Sequence, residues 1–163
     1  MPQTDINHAD IRTRFIFDDM PVRGLHVRLE NVWEHIAGQK HYPAAIRRAL
    51  GELLAAGALL SSNLKNEGTL IVQVQGQGRL KMLVVEATSD NTVRATARWD
   101  EAADIHDDES LTDLLGSNSV FVLTHQPKDA EPWQGVVPLE GDNIAQMLMN
   151  YIKRSEQLDT HIV

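Results

Sequence analysis

Cysteine is absent from this chain of 163 residues. The sequence therefore excludes a disulfide, a thiolate metal site and a cysteine nucleophile within it. Lys and Arg number 15 against 23 Asp and Glu, which gives a formal net charge of −8. An acidic chain repels phosphate backbones unless its basic residues cluster, and no basic run is longer than the pair Arg47 and Arg48. We therefore expect no nucleic-acid partner.

Long apolar runs are also absent. The longest, LLAAGALL at residues 53–60, is far shorter than the roughly 20 residues that span a bilayer. The first twenty residues contain four aspartates and no apolar segment typical of a signal peptide. We expect a cytoplasmic protein with no membrane partner. Length and an ordinary hydrophobic content of 42% predict one globular domain over residues 1–163.

Hydrophobic periodicity predicts an α+β fold, in which a mostly antiparallel sheet is packed by helices. Gly24 is expected to form a bulge in the second strand, and Asn31 to cap the first helix. Pro43 begins a long central apolar helix whose many small residues indicate close approach by neighbouring backbone. The strands are expected at 13–19, 22–30, 69–75, 79–87, 92–99, 119–125, 133–139 and, beginning at Leu158, 158–163.

Two shorter helices are predicted from capping signals. Ser110 and Asp113 form a capping box for a helix that Gly116 ends. Asp142 is expected to cap a helix over 143–154, and this cap accounts for the stretch LEGDN better than an anion site does, because Glu140 and Asp142 would repel an anion. Hairpins dominate the predicted order, β-β-α-α-β-β-β-α-β-β-α-β.

Motifs that carry chemistry are scarce. The stretch GQG at 76–78 is followed by a strand, which favours a tight hairpin over a dinucleotide fingerprint. The acidic stretch at 100–110 lacks the EF-hand pattern and is best interpreted as a solvated loop. No HExxH, P-loop or GxSxG motif is present. The sequence therefore predicts no catalytic, cofactor-binding or metal-binding residue, although it contains seven histidines: His8, His26, His35, His41, His106, His125 and His161.

Three stretches carry a resemblance to a known family. They are RFIFDDMPVRG near the start, the segment from HYPAAIRRALGELLAAGALLSSNLK through TLIVQVQGQGRLK, and WQGVVPLEGDNIAQMLMNYIKRSEQL near the end. In this order and spacing, the chain resembles the N-terminal domain of the redox-regulated bacterial heat-shock chaperone, the thirty-three-kilodalton chaperonin family. The resemblance covers essentially the whole chain, with Asp159 departing from the proline usual in the family.

The resemblance implies a function that the residues alone do not. Members of this family are non-enzymatic, ATP-independent holdases that bind unfolding proteins and dimerise when oxidants activate them. The resemblance also implies a linker and a zinc module with four cysteines beyond Val163, so no zinc ligand is assigned to this chain. We therefore expect a fragment whose last strand has only begun, and whose open sheet edge lets it self-associate. The client-binding surface stays unassigned.

Two alternatives remain open at this point. One is an α+β enzyme that uses Asp and His residues of the acidic loop, which predicts a deep pocket beside His106. The other is a module that only oligomerises, which predicts a large isologous apolar interface.

Overall fold

Two antiparallel sheets and four helices make up the computed structural model, which describes residues 9–155 and 159–163. Their order matches the predicted order through the last helix. The strands are β1 Asp10–Ile16, β2 Arg23–Leu29, β3 Gly68–Gln75, β4 Leu80–Thr88, β5 Val93–Trp99, β6 Val120–Pro127 and β7 Trp133–Pro138. The helices are α1 Asn31–Gly38, α2 Ala44–Ser61, α3 Leu111–Leu115 and α4 Ile144–Ser155.

A five-stranded sheet in the order β5-β4-β3-β6-β7 forms the body of the protein. All its neighbouring strands are antiparallel, as the hairpin pattern predicts. In β3, Leu70, Val72 and Val74 are buried while the alternating glutamines are not, because successive side chains point to opposite faces. The GQG stretch is a hairpin turn, since the Gly76 amide donates to the Lys81 carbonyl at 3.0 Å.

Helix α2 packs its apolar face onto this sheet. Ile46, Leu50 and Leu53 are fully buried, which confirms the predicted core helix. A Cβ at Gly57 would lie 2.6 Å from Val85 Cγ1 on β4. The small residues therefore admit neighbouring side chains at this position, whereas the sequence predicted close backbone.

Strands β1 and β2 form a separate two-stranded sheet. Their register runs from Asp10–Leu29 to Ile16–Arg23 without a shift, so the predicted bulge at Gly24 is wrong. Gly24 pairs directly with Phe15, and a Cβ there would collide with the Phe15 ring. The glycine makes room for an aromatic ring that lies across the strand.

Two of the predicted caps need correction, and one is confirmed. Helix α1 begins at Asn31 itself, after Glu30, and neither side chain caps it; the Val32 amide donates instead to Asp10 Oδ1 of β1 at 3.2 Å. At α4 the cap is Asn143, whose Oδ1 accepts from the Gln146 amide at 2.9 Å. Asp142 lies one residue too early, and its own amide donates to Gln146 Oε1 at 2.8 Å. The Ser110 cap at α3 is confirmed, since the Asp113 amide donates to Ser110 Oγ at 3.1 Å, while the Asp113 carboxylate accepts from the Ser110 hydroxyl and not from its amide.

The predicted strand at the end of the chain is wrong over residues 159–163, which have no strand pairing. Leu158, where that strand was expected to begin, lies outside the described residues. Ile162 instead packs against the core cluster, and its amide donates to Met149 Sδ at 3.4 Å.

Candidate functional site

Exposed apolar side chains concentrate on one element, the β1–β2 hairpin. Such residues are ordinary when scattered, but a contiguous group of them marks an interaction surface. We call this group the hairpin patch. Its members are Ile11, Phe15, Ile16, Phe17, Met20 and Val22, with exposed fractions between 37% and 76%.

The hairpin patch is ordered by aromatic and backbone contacts. The rings of Phe15 and Phe17 meet edge to face, with centroids 5.8 Å apart and planes at 74°. The Phe17 amide donates to the Val22 carbonyl at 3.0 Å and so closes the hairpin at its tip. These contacts hold the two rings in place while 44% of Phe15 and 46% of Phe17 remain exposed.

The alternation of side chains along β1 explains why Ile11 and Phe15 face outward. Arg12 and Arg14 reach helix α2 with their side chains, so Ile11 and Phe15 lie on the opposite face. Ile16 is on the same side as the arginines and is 76% exposed all the same. Apolar side chains are therefore accessible on both faces of the strand near the hairpin tip.

A second, smaller apolar exposure lies on β7. This strand is an edge of the large sheet, since it pairs only with β6 among the described strands. Trp133 and Val136 are 51% and 56% exposed but occupy opposite faces of the strand. They therefore offer two separated contacts, whereas the hairpin patch combines six exposed apolar residues on one hairpin.

An ion pair holds the acidic loop to the sheet. Arg79 binds the Glu109 carboxylate through both of its terminal nitrogens, Nη1 and Nη2. Its Nη1 also donates to the Asp104 carbonyl at 2.8 Å. Glu109 also accepts from the His106 amide at 2.8 Å. The hydrogen bond from Arg79, followed by the one from His106, holds the pKa of Glu109 below its usual value. This arrangement positions the loop and engages both carboxylate oxygens of Glu109.

The histidines do not converge. Within residues 9–155 and 159–163, no group of three or more His, Asp or Glu side chains is placed to hold a metal ion. Asp104 and His106 lie 3.7 Å apart, and their side chains are 88% and 69% exposed, so they occupy open surface and no deep pocket. His8 lies outside the described residues.

The zinc that the family resemblance implies does not fit this chain. Its site is expected to use four cysteines, and the chain has none. The described residues also supply no alternative cluster of metal ligands.

Two cavities adjoin α4, and neither resembles an active site. One, lined by Phe121, Tyr151 and Arg154 among others, has a volume of about 10 Å³, which is barely room for one water molecule. The other, about 310 Å³, is open and lined by Met149, Lys153 and residues 159–161. Neither cavity is lined by a residue of the β1–β2 hairpin, so the cavities and the hairpin patch are separate features.

Comparison with known proteins identifies the family. The model of the Hsp33 protein family matches residues 10–163, so this chain belongs to the Hsp33 family. It is 85% identical to the 33 kDa chaperonin of Neisseria meningitidis serogroup A over 163 residues, all of this chain and 54% of that protein. It is 49% identical to the 33 kDa chaperonin of Chromobacterium violaceum over 161 residues, 98% of this chain and 54% of that protein.

A solved structure supports the fold independently of close sequence similarity. The crystal structure of the 33 kDa chaperonin, a heat shock protein 33 homologue, from Thermotoga maritima superposes with a TM-score of 0.81. It is 23% identical and covers 93% of this chain and 53% of that chain. The predicted α+β class is therefore confirmed, and the resemblance noted in the sequence is confirmed as family membership.

This chain spans about half the length of these relatives, which bear the name of a chaperone and not of an enzyme. No helix among the described residues is long and apolar enough to cross a membrane. The sequence did not single out the hairpin patch, although a signal was present: Phe15, Ile16 and Phe17 are consecutive. A strand with one solvated face should alternate with polar residues instead.

Proposed function

We propose that this chain is the N-terminal core domain of a cytoplasmic, ATP-independent holdase, and that the hairpin patch contacts unfolding clients. The single observation that carries the assignment of the surface is the concentration of exposed apolar side chains on one hairpin. Unfolding proteins expose apolar segments, and burying such segments against an apolar patch is favourable at about 25 cal/mol per Å². The family name of the relatives supports the same class of activity.

Oxidative regulation belongs to the same proposal but to other parts of the longer relatives. The absence of cysteine means that the zinc module implied by the resemblance has no counterpart here. We therefore propose that this chain holds clients equally in reductant and in oxidant, because it lacks the group that would switch it.

Light scattering of a heat-unfolding client, recorded without ATP, tests the proposal. The wild-type chain should suppress aggregation in both reducing and oxidising buffer. The double variant Phe15→Ser and Phe17→Ser should lose most of this suppression, since it removes the two largest apolar groups of the hairpin patch. A matched variant on the other exposed strand, Val136→Ser, should retain it. Equal suppression of aggregation by the wild type and the double variant would contradict the assignment of the hairpin patch as the client-binding surface.

Self-association is a second candidate function, and the exposed edge of β7 favours it. Unpaired backbone groups on an edge strand can pair with another chain, and Trp133 adds exposed apolar area beside that edge. We propose a homodimer that pairs through β7. Sedimentation should show a dimer that Val136→Lys disrupts, because a charge on an edge strand opposes edge-to-edge pairing; a wild-type monomer at high concentration would contradict the proposal.

A further inference from the structure

Two arginines attach the β1–β2 hairpin to the end of helix α2. Arg12 Nη1 donates to the Ala58 carbonyl at 3.2 Å, and Arg14 donates to the Ser62 carbonyl. Arg12 Nη2 also donates to Asn91 Oδ1 at 2.7 Å. Asn91 lies in the turn between β4 and β5, where it has a positive φ of 66°. Arg12 therefore joins three parts of the molecule: the hairpin, the helix end and the large sheet.

The end of helix α2 favours these two cations. Its last carbonyls already accept from local donors, among them Ser61 Oγ and the Leu64 amide, but the negative end of a helix dipole also favours nearby positive charge. The last turn of α2 contains no basic residue. Arg12 and Arg14 of β1 supply that charge, so the same contacts stabilise the end of the helix and attach the hairpin to it.

Few other contacts hold the hairpin: Asp10 Oδ1 of β1 accepts from the Val32 amide of α1 at 3.2 Å, and Leu29 packs against the core. Every residue of β1 is exposed, and the inward-facing residues Leu25, Val27 and Leu29 of β2 are only half-buried. A two-stranded hairpin is at best marginally stable on its own in water. Its attachment therefore depends heavily on the two guanidinium groups, whose attraction to a helix end is weakened by salt.

We propose that Arg12 and Arg14 form an arginine latch that lets the hairpin detach from α2 while the large sheet stays folded. Detachment exposes the inner apolar residues Leu25, Val27 and Leu29 in addition to the hairpin patch. Heat and ionic strength open the latch, since both weaken a marginal, charge-dependent contact. Its consequence for client binding rests on the function proposed above: an open hairpin offers an unfolding client apolar surface on both faces.

Hydrogen exchange followed by mass spectrometry tests the latch directly. In the double variant Arg12→Ala and Arg14→Ala, amides of β1, β2 and the last turn of α2 should exchange about tenfold faster, a typical effect of losing charged hydrogen bonds at a helix end. Amides of β3 and β4 should keep their wild-type rates. Unchanged hairpin rates would overturn the latch, and so would equal acceleration throughout the sheet, which would indicate global destabilisation.

Arg23 provides the matched control. It lies on the same hairpin, and its side chain makes no hydrogen bond or ion pair with the described residues. Arg23→Ala should leave hairpin exchange unchanged; acceleration equal to that of the double variant would mean that general charge, and not the latch, holds the hairpin. The wild type gives a measurement that needs no variant: raising NaCl should accelerate exchange in the hairpin and not in β3 or β4.

A measurement of client aggregation distinguishes failure of the latch from failure of the proposed function. With the latch variant, suppression of aggregation should begin at a lower temperature than with the wild type. If exchange shows an open hairpin but suppression begins at the same temperature, the latch has no regulatory role. If the wild type suppresses nothing at any temperature, the proposed function fails, while the exchange data still decide whether the latch exists.

Discussion

The β1–β2 hairpin and the five-stranded sheet are both antiparallel, yet they follow opposite rules of burial. In the sheet, Val72, Val74, Leu83 and Val85 are fully buried beneath α2. In the hairpin, every residue of β1 is exposed, including Phe15 and Ile16. The comparison indicates two different roles. The sheet and α2 provide the free energy of folding, whereas the hairpin presents apolar surface that is not buried in the core.

The division predicts where substitutions act. A side chain buried in the sheet layer contributes to the stability of the whole domain. One in the hairpin patch changes what the surface binds and leaves the free energy of unfolding nearly unaltered. A protein that holds others must keep apolar surface accessible, and it can do so safely only where that surface is not needed for its own core.

The largest expected effect is on global stability. Leu53→Ala, at a fully buried position of α2, should lower the free energy of unfolding by about 2–5 kcal/mol, because it removes apolar contacts and leaves a cavity. Phe15→Ala should lower it by about 1 kcal/mol or less, as is usual for exposed positions. Urea denaturation measures both. If Phe15→Ala lowered the free energy of unfolding as much as Leu53→Ala does, the hairpin would belong to the folding core, and the difference between hairpin and sheet would be refuted.

A smaller effect is expected at the start of α4, which packs on the sheet side. Asn143→Ala should cost about 1 kcal/mol, the usual penalty for losing an N-cap side chain. Asp142→Ala should cost less, because only the backbone amide of Asp142 takes part in the cap. The same urea measurement ranks the two variants. A larger loss of stability in Asp142→Ala than in Asn143→Ala would show that Asp142 caps the helix, as the sequence predicted.

The sheet was more predictable from the sequence than the hairpin, and the reason is physical. Alternation in β3 reflects burial against α2, so Leu70, Val72 and Val74 indicated both the strand and its inner face. Gly24 was misread as a bulge because the sequence does not show that the Phe15 ring lies across the strand. The arginine contacts to α2 were not predictable either, since Arg12 and Ala58 are 46 residues apart in the chain.

The family was recognisable from the order of three stretches, but the proposed binding surface was not. The same apolar residue type occurs both on the surface and in the core, and only the packing in the folded structure distinguishes the two cases. Phe121 is buried against Tyr151 with ring centroids 5.3 Å apart, whereas Phe15 is 44% exposed. The absence of a catalytic motif favoured a binding function over catalysis, but it did not indicate which surface would bind a partner.

The smallest expected effect concerns the ion pair that holds the acidic loop to the sheet. Because Arg79 lowers the pKa of Glu109, this contribution to stability is complete above the ordinary glutamate value of about 4.3. It is lost as the pH falls through the lower pKa of the folded state. Glu109→Gln should therefore lower the melting temperature at pH 7, and the difference from the wild type should shrink at pH 3. Exchange in the hairpin should not respond to Glu109→Gln, since the ion pair makes no contact with β1 or β2 among the described residues. A melting-temperature difference that stays constant across this pH range would show that the ion pair contributes nothing, and that the loop is held by its backbone contacts alone.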